Sequence, residues 1–159
     1  MAQYSFTTIW RIRAPLEKIW DAIIHSEQYP SWWKSVIKVD VLAPGDANGI
    51  GAIVRTTWKT HLPYGFSFNT RVTRVEPLEA IALEAFGDLQ GTGLWTLTRE
   101  GDDTIVQYDW QVKTTQAWMN LIAPIARPFF SWNHAAVMQD GADGLARLLN
   151  THVTTVRSQ

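Results

Sequence analysis

The chain contains no cysteine, which excludes disulfide bridges, thiolate nucleophiles and metal sites built on Cys ligands. Charged residues are also scarce, at 18% of the 159 residues against about 25% in ordinary soluble domains. Lys and Arg number 14 and Asp and Glu number 15, which gives a net charge of −1. A nucleic-acid-binding protein needs a basic footprint, so we expect no nucleic-acid partner.

Long apolar runs are missing as well. No run approaches the ~20 residues that a membrane span requires. The first residues, Met1–Ser5, lack the basic and apolar regions of a signal peptide. Because 46% of the residues are hydrophobic and the net charge is near zero, the composition does not match a disordered chain. We expect one cytoplasmic domain with no membrane span, and the sequence leaves its oligomeric state open.

Motifs for nucleotide, metal and acyl-transfer chemistry are absent too. The sequence has no G-x-x-x-x-G-K-[ST], no G-x-G-x-x-G, no G-x-S-x-G and no His-x-x-x-His, and its four histidines are scattered. We therefore expect no cofactor and no metal site.

Tryptophan, by contrast, is abundant: the chain has nine, more than its six Phe or four Tyr. A buried Trp brings a large apolar area but also an N–H that needs a partner. A packed core could use many of these rings. A cavity lined by Trp would instead suit a flat hydrophobic or aromatic ligand.

The N-terminal two thirds predict a sheet interrupted once by helix. Residues 4–13 alternate apolar and polar side chains, as a half-buried strand does. Pro15 then precedes an amphipathic helix of about three turns, and Tyr29–Trp33 indicates a turn with a short second helix. Six further strands separated by Gly, Pro, Asn and Asp form an antiparallel meander, which makes seven in total: Val36–Leu42, Gly51–Thr60, Phe66–Glu76, Ile81–Phe86, Gly93–Arg99 and Thr104–Lys113.

After Thr115 the period changes to that of helices. A short helix is expected near residues 118–125, broken by Pro124 and Pro128, followed by a long helix from about Phe129 to Asn150. Residues 151–159 are polar and are expected to fray as a tail, so that 1–150 form the domain. The long helix covers the apolar face of the sheet, and a curled sheet under such a helix can enclose a ligand cavity.

His134 lies on the apolar stripe of the long helix. One interpretation is a core histidine bonded to a backbone carbonyl, and the other is a pocket donor or acid–base group. Gly141 and Gly144, in the same helix, allow either close packing on the sheet or space for a ligand.

Arg55, Arg71 and Glu84 lie in the middle of predicted strands. Alternation puts Arg55 opposite Val54 and Trp58. A solvated outer face is one interpretation for all three. If one pointed into the cavity it would need a partner, such as an Arg–Glu pair or an acidic ligand.

The sequence resembles the START-like, Bet v 1-like (SRPBCC) superfamily, and in particular its bacterial polyketide cyclase/dehydrase branch. The resemblance covers roughly residues 4–150. The segments that carry it are Ile12-Arg13-Ala14-Pro15 with Ile19-Trp20, Tyr29–Trp33, Gly49-Ile50-Gly51, Leu62-Pro63-Tyr64, Gly87–Gly91 and Asn133-His134.

The resemblance implies an α+β helix-grip fold: a curved seven-stranded antiparallel sheet around a long C-terminal helix, with two short helices after the first strand. It also implies a hydrophobic small-molecule partner such as a lipid, polyketide, quinone or sterol. Members of the branch either cyclise or dehydrate polyketides or only bind and carry ligand. Whether this chain is an enzyme therefore stays open at this point.

Our leading hypothesis is binding of a hydrophobic or aromatic small molecule between sheet and helix, with cyclase or dehydrase chemistry as an extension. In that chemistry His134 would be the acid–base group, and Arg55 or Tyr108 would hold an oxyanion. The candidate ligand-binding residues are Trp58, Tyr64, Phe68, Glu84, Trp95, Trp110, Phe130 and Met138.

Two alternatives remain. A non-catalytic carrier or sensor of a lipid or quinone would have an apolar tunnel with one polar end. A module that acts on a partner protein would expose an apolar patch around Trp32 and Trp33.

Overall fold

An eight-stranded antiparallel sheet, with a helix of 33 residues over one face, carries the fold. The computed structural model describes residues 3–59, 66–115 and 117–158. The elements in chain order are β1 (Gln3–Ile12), α1 (Leu16–Ile24), a 3₁₀ helix (Ser26–Ser31), β2 (Val36–Ala43), β3 (Ile53–Trp58), β4 (Phe66–Glu76), β5 (Ala80–Phe86), β6 (Leu89–Glu100), β7 (Asp103–Thr114), α2 (Ala117–Leu149) and β8 (Val153–Ser158).

The strand order is β2-β3-β4-β5-β6-β7-β1-β8. Strands β2 to β7 pair with their neighbours in chain order as an antiparallel meander, whereas β1 pairs with β7 at the far end of that series. β3 and β1 are therefore separated by four strands, and they form opposite flanks of the sheet.

Alternation decides which side chains face α2. In β1 the even-numbered residues from Tyr4 to Ile12 are buried, while the odd-numbered ones are half-buried or exposed. The main core joins Trp10 and Ile12 of β1 to the C-terminal half of α2, where Leu145 is fully buried, and Tyr4 and Phe6 belong to a second apolar cluster. The sheet and the C-terminal half of α2 thus share one apolar interior.

The turn after the 3₁₀ helix locks onto α2. Trp33 donates its Nε1–H to the carbonyl of Val137 at 2.9 Å, and Ser35 donates to the Asp140 carboxylate at 2.7 Å. A Cβ on Gly141 would lie 2.7 Å from the Trp33 ring. Of the two explanations for the helix glycines, close packing is the one that applies, since a side chain there would meet this turn.

Trp32 and Trp33 are 7% and 2% exposed, so they form no apolar surface patch. The patch expected for a partner-binding module is therefore not at this position. Exposed apolar side chains lie instead along α2, at Leu121, Ile125, Phe129 and Trp132.

The C-terminal residues differ from the expected fraying tail. Val153–Ser158 form β8, which pairs antiparallel with β1 and makes the sheet eight-stranded rather than seven-stranded. Thr155 bonds Gln139 at 3.0 Å, and Val153 packs against the core. The segment becomes a strand because it covers the otherwise unpaired edge of β1.

The expected break in the C-terminal helix is also wrong. α2 runs continuously through Pro124 and Pro128, which lie four residues apart. Pro128 has no backbone N–H, so the carbonyl of Pro124, four residues earlier, loses its helical donor. Both prolines are exposed, so that carbonyl can accept a hydrogen bond from water instead. Within the described residues, no helix is long and apolar enough to cross a membrane.

Candidate functional site

A cavity of about 700 Å³ lies between the sheet and α2. Its wall comes from strands β1 to β7 on one side and from α2 on the other. One end is bounded by the junction of α1 with the 3₁₀ helix and by the loop between β2 and β3. The volume suits a molecule of several rings, since small-molecule pockets usually enclose about 300–1,000 Å³.

Seven aromatic rings form a closed circuit of contacts, with successive centroids 4.2 to 6.3 Å apart. All of them except Trp10 line the cavity. Each ring packs against the next at the separations that aromatic pairs prefer, so the seven form one continuous aromatic surface. In circuit order the seven are Trp10, Trp33, Trp58, Phe68, Trp110, Tyr108 and Trp95. We call this set the aromatic circuit.

Strand register builds the circuit. Trp95 on β6 is the direct partner of Tyr108 on β7, which brings their rings to 4.2 Å. Tyr108 and Trp110 share a face because they are two residues apart on one strand. Phe6 on β1 pairs with Trp110 on β7 and extends the aromatic wall toward α2.

His134 reaches this wall from α2. Its imidazole stacks on the Phe6 ring, with centroids 4.2 Å apart and planes 10° apart. Tyr4 and Phe130 complete the corner, with their rings 5.5 Å apart edge to face. Burial lowers the pKa of His134 to about 4, so the imidazole is neutral at neutral pH.

Three polar atoms on the cavity wall have no hydrogen-bond partner within the described residues. They are Tyr4 Oη, Trp58 Nε1 and His134 Nδ1, and each is shielded from bulk solvent. An unpaired buried polar group costs about 1–3 kcal/mol. Thr8, Trp10 and Asn69 also carry such atoms, but they do not line the cavity.

The phenols of the wall are neutral as well. Burial raises the pKa of Tyr108, and Tyr29 nearby raises it further. Burial, with a smaller contribution from Glu27, raises the pKa of Tyr29, whose hydroxyl donates to the Ile23 carbonyl. Burial also raises the pKa of Tyr4, against the opposing effect of Arg127. None of these three tyrosines is therefore ionised at neutral pH.

Charge is confined to the rim. Among the described residues that line the cavity, Glu27 and Asp46 are the carboxylates, and none is Lys or Arg. Both carboxylates are exposed, and Asp46 accepts the backbone N–H groups of Asn48 and Ile50 at 2.8 and 3.0 Å. The described residues hold no cluster of three metal-ligating side chains.

Most of the residues nominated from sequence lie on the cavity wall. The structure places eight of them there: His134, Tyr108, Trp58, Phe68, Trp95, Trp110, Phe130 and Met138. Tyr64 lies outside the described residues.

The expectation that Arg55 and Glu84 belong to the site is wrong, since neither lines the cavity. Arg55 is exposed because it alternates with Val54 and Thr56, which do line it. Glu84 is likewise on the outer face and pairs with Arg71 at 3.9 Å. Arg55 therefore cannot hold an oxyanion in the cavity. Of the two residues proposed for that role from the sequence, only Tyr108 remains a candidate.

Sequence reasoning missed Tyr4, Phe6 and Asn133 as wall residues. The alternation in β1 already put Tyr4 and Phe6 on the same face as Trp10, so that signal was available. Asn133 lay next to His134 but off the predicted apolar stripe.

Comparisons with known proteins agree with this architecture. Residues 3–150 match the model of a family described as polyketide cyclase / dehydrase and lipid transport. Among curated proteins, no sequence matches the chain.

Solved structures match at low identity. One is the Zhui aromatase/cyclase from Streptomyces sp. R1128, with TM-score 0.74, 13% identity and 94% of each chain covered. A START superfamily protein from Mycobacterium smegmatis has TM-score 0.72 and 17% identity over 93% of this chain and 97% of that one. The di-domain aromatase/cyclase BexL of the BE-7585A biosynthetic pathway matches with TM-score 0.68 and 18% identity, over 87% of this chain and 47% of that one. These likenesses establish a shared fold.

Proposed function

The chain belongs to the polyketide cyclase / dehydrase and lipid transport family, and on that premise we propose that its cavity binds a hydrophobic or aromatic small molecule. The observation that carries the proposal is the aromatic circuit on the wall of a cavity of about 700 Å³. Flat rings held against one another present a large apolar surface without losing side-chain entropy on binding.

A pair of adjacent substitutions tests the proposal. Thr56 faces the cavity and Arg55 faces outward, so Thr56→Phe fills the cavity while Arg55→Phe adds the same ring outside it. The probe is N-phenyl-1-naphthylamine, an uncharged dye that brightens in apolar surroundings.

We expect the wild-type protein and Arg55→Phe to bind this dye alike. Thr56→Phe should bind it at least about tenfold more weakly, because the new ring occupies ligand space. Melting curves of both variants report whether they fold. The absence of saturable dye binding to the wild type, or equal binding by a folded Thr56→Phe, would refute the proposal.

Catalysis is a second candidate, favoured by the unpartnered Nδ1 of His134. In a cyclisation, this nitrogen takes a proton from a carbon between two carbonyls, and the electron pair of the broken C–H bond moves onto a carbonyl oxygen. A phenol such as Tyr108 then donates to that oxygen. The enolate carbon attacks the carbon of a second carbonyl, a C–C bond forms, and the C=O electron pair moves onto that oxygen, which takes the proton held by His134. The resulting hydroxyl leaves as water together with a hydrogen from the adjacent carbon.

The low pKa of His134 makes it a weak base, so only doubly activated carbon acids fit this step. The test uses a synthetic β-polyketone and follows the absorbance of an aromatic product. His134→Phe should bind the dye but lose turnover. If the wild type and His134→Phe both bind the dye and neither turns over the β-polyketone, the result favours a carrier, which is the alternative derived from the sequence.

A further inference from the structure

The unpartnered wall atoms belong to two parts of the cavity wall, which we call the Trp58 flank and the β1 flank. Trp58 is on β3, whereas Tyr4 is on β1, and four strands separate the two in the sheet. His134 belongs to the β1 flank because its ring stacks on Phe6. The aromatic wall between the flanks includes Phe68, whose ring lies 6.3 Å from Trp58.

No Lys or Arg is among the described residues that line the cavity, and the guanidinium of Arg127 lies outside it, 4.8 Å from the centroid of the Tyr4 ring. The carboxylates of Glu27 and Asp46 stand at the rim, where they oppose the entry of an anion. An anionic group carried to the Trp58 side of the wall would be buried with no Lys or Arg among the described lining residues to balance it, which is very unfavourable.

We propose that the cavity selects an uncharged aromatic molecule with oxygen functions at two separated positions, one bonded by Trp58 Nε1 and the other by Tyr4 Oη with His134 Nδ1. This inference rests on the proposed binding function and specifies its ligand.

The donors and acceptors differ between the two flanks. An indole N–H only donates, so the Trp58 flank requires an acceptor such as a carbonyl, ether or hydroxyl oxygen. A phenol both donates and accepts, and a neutral imidazole nitrogen does one or the other according to its tautomer. The β1 flank therefore accommodates a hydroxyl or a carbonyl, and a phenolic or quinone-like ligand satisfies both flanks.

A biphenyl series tests these requirements on one skeleton. The probes are biphenyl, 4-hydroxybiphenyl, 4,4′-biphenol and biphenyl-4-carboxylate, with affinities measured by calorimetry at pH 7. Each matched hydroxyl should raise affinity about fivefold, which corresponds to one ordinary hydrogen bond. The carboxylate should bind at least about a hundredfold more weakly than biphenol.

Two variants remove the polar atoms and keep aromatic rings. Tyr4→Phe and Trp58→Phe should each weaken biphenol binding about fivefold more than they weaken biphenyl binding, because only biphenol loses a hydrogen bond. Phe130→Leu is the control on the same wall, because it changes apolar contact without removing a hydrogen-bonding atom. It should weaken biphenyl and biphenol equally.

A second readout reports the Trp58 bond directly and does not depend on affinity. The indole N–H resonance of Trp58, assigned by its loss in Trp58→Phe, should move downfield when biphenol binds and move less with biphenyl.

If biphenyl and biphenol bind alike and the two variants do not distinguish them, the two-flank proposal is wrong while the proposed binding function stands. Carboxylate binding as tight as that of biphenol overturns the charge selection. If none of the series and no naphthylamine dye binds, the proposed function itself fails.

Discussion

Gly144 of α2 lies so close to Trp32 that a Cβ on the glycine would be 1.7 Å from the Trp32 backbone oxygen. This contact sets the distance between the helix and the turn that precedes β2. It also fixes one end of the cavity roof, since Met138 and Val137, less than two turns earlier, line the cavity.

Replacing Gly144 with alanine should destabilise the protein, although Gly→Ala at an exposed helix position gains about 1 kcal/mol. The new methyl meets backbone, which cannot rotate away, so we expect a loss of about 3 kcal/mol in the free energy of unfolding. Urea unfolding measures it. Asp143→Ala, at the exposed neighbouring position, is the control and should stay within about 0.5 kcal/mol. A Gly144→Ala protein as stable as the wild type would contradict the packing described here.

The low pKa of His134 should make stability depend on acidity. The unfolded chain takes up this proton near pH 6.5 and the folded protein only near pH 4. The contribution of neutral His134 to the free energy of unfolding is therefore fully present above about pH 6.5. As the pH falls from about 6.5 to about 4, the free energy of unfolding should decrease by at most about 3 kcal/mol. His134→Phe keeps a ring against Phe6 and should flatten the slope in that window. Identical slopes in the two proteins would show that His134 titrates normally.

The outward-facing charges of Arg55 and Glu84 should not affect ligand binding. Arg55→Gln and Glu84→Gln alter exposed side chains beyond the cavity, so dye affinity should change less than about twofold and stability by less than about 0.5 kcal/mol. Fluorescence titration and thermal unfolding measure the two quantities. A tenfold change in affinity in either variant would place that side chain at the site after all.

Removing residues 153–159 should expose the edge of β1. The amides of β1 that face β8 then lose their partners, and the core loses the contact of Val153. Hydrogen exchange should accelerate across Thr8–Ile12 more than in β4 or β5, which lie on the other side of the sheet. Truncation of Arg157–Gln159 alone is the milder comparison. Unchanged exchange in β1 after the longer truncation would mean that β8 does not protect it.

The sequence by itself determined most of the element types and the facing of most wall residues. Period-two alternation places Tyr108 and Trp110 together on one side of a strand wherever that strand lies. The same rule separated Arg55 from Trp58, so it already argued that these two cannot both face the cavity.

Tertiary structure alone decided how those faces meet. Three contacts between separate segments show this: Trp95 lies beside Tyr108 through strand pairing, His134 stacks on Phe6, and β8 docks on β1. Likewise, propensity predicted a break at Pro124 and Pro128, but the helix continues through both exposed prolines. Local patterns report dihedral preference and face, whereas register and closure depend on the free energy of packing the whole chain. The excess of Trp was visible in the composition. The circuit that five of the nine form with Phe68 and Tyr108 arises only when the strands pair and the turn at Trp33 docks on α2.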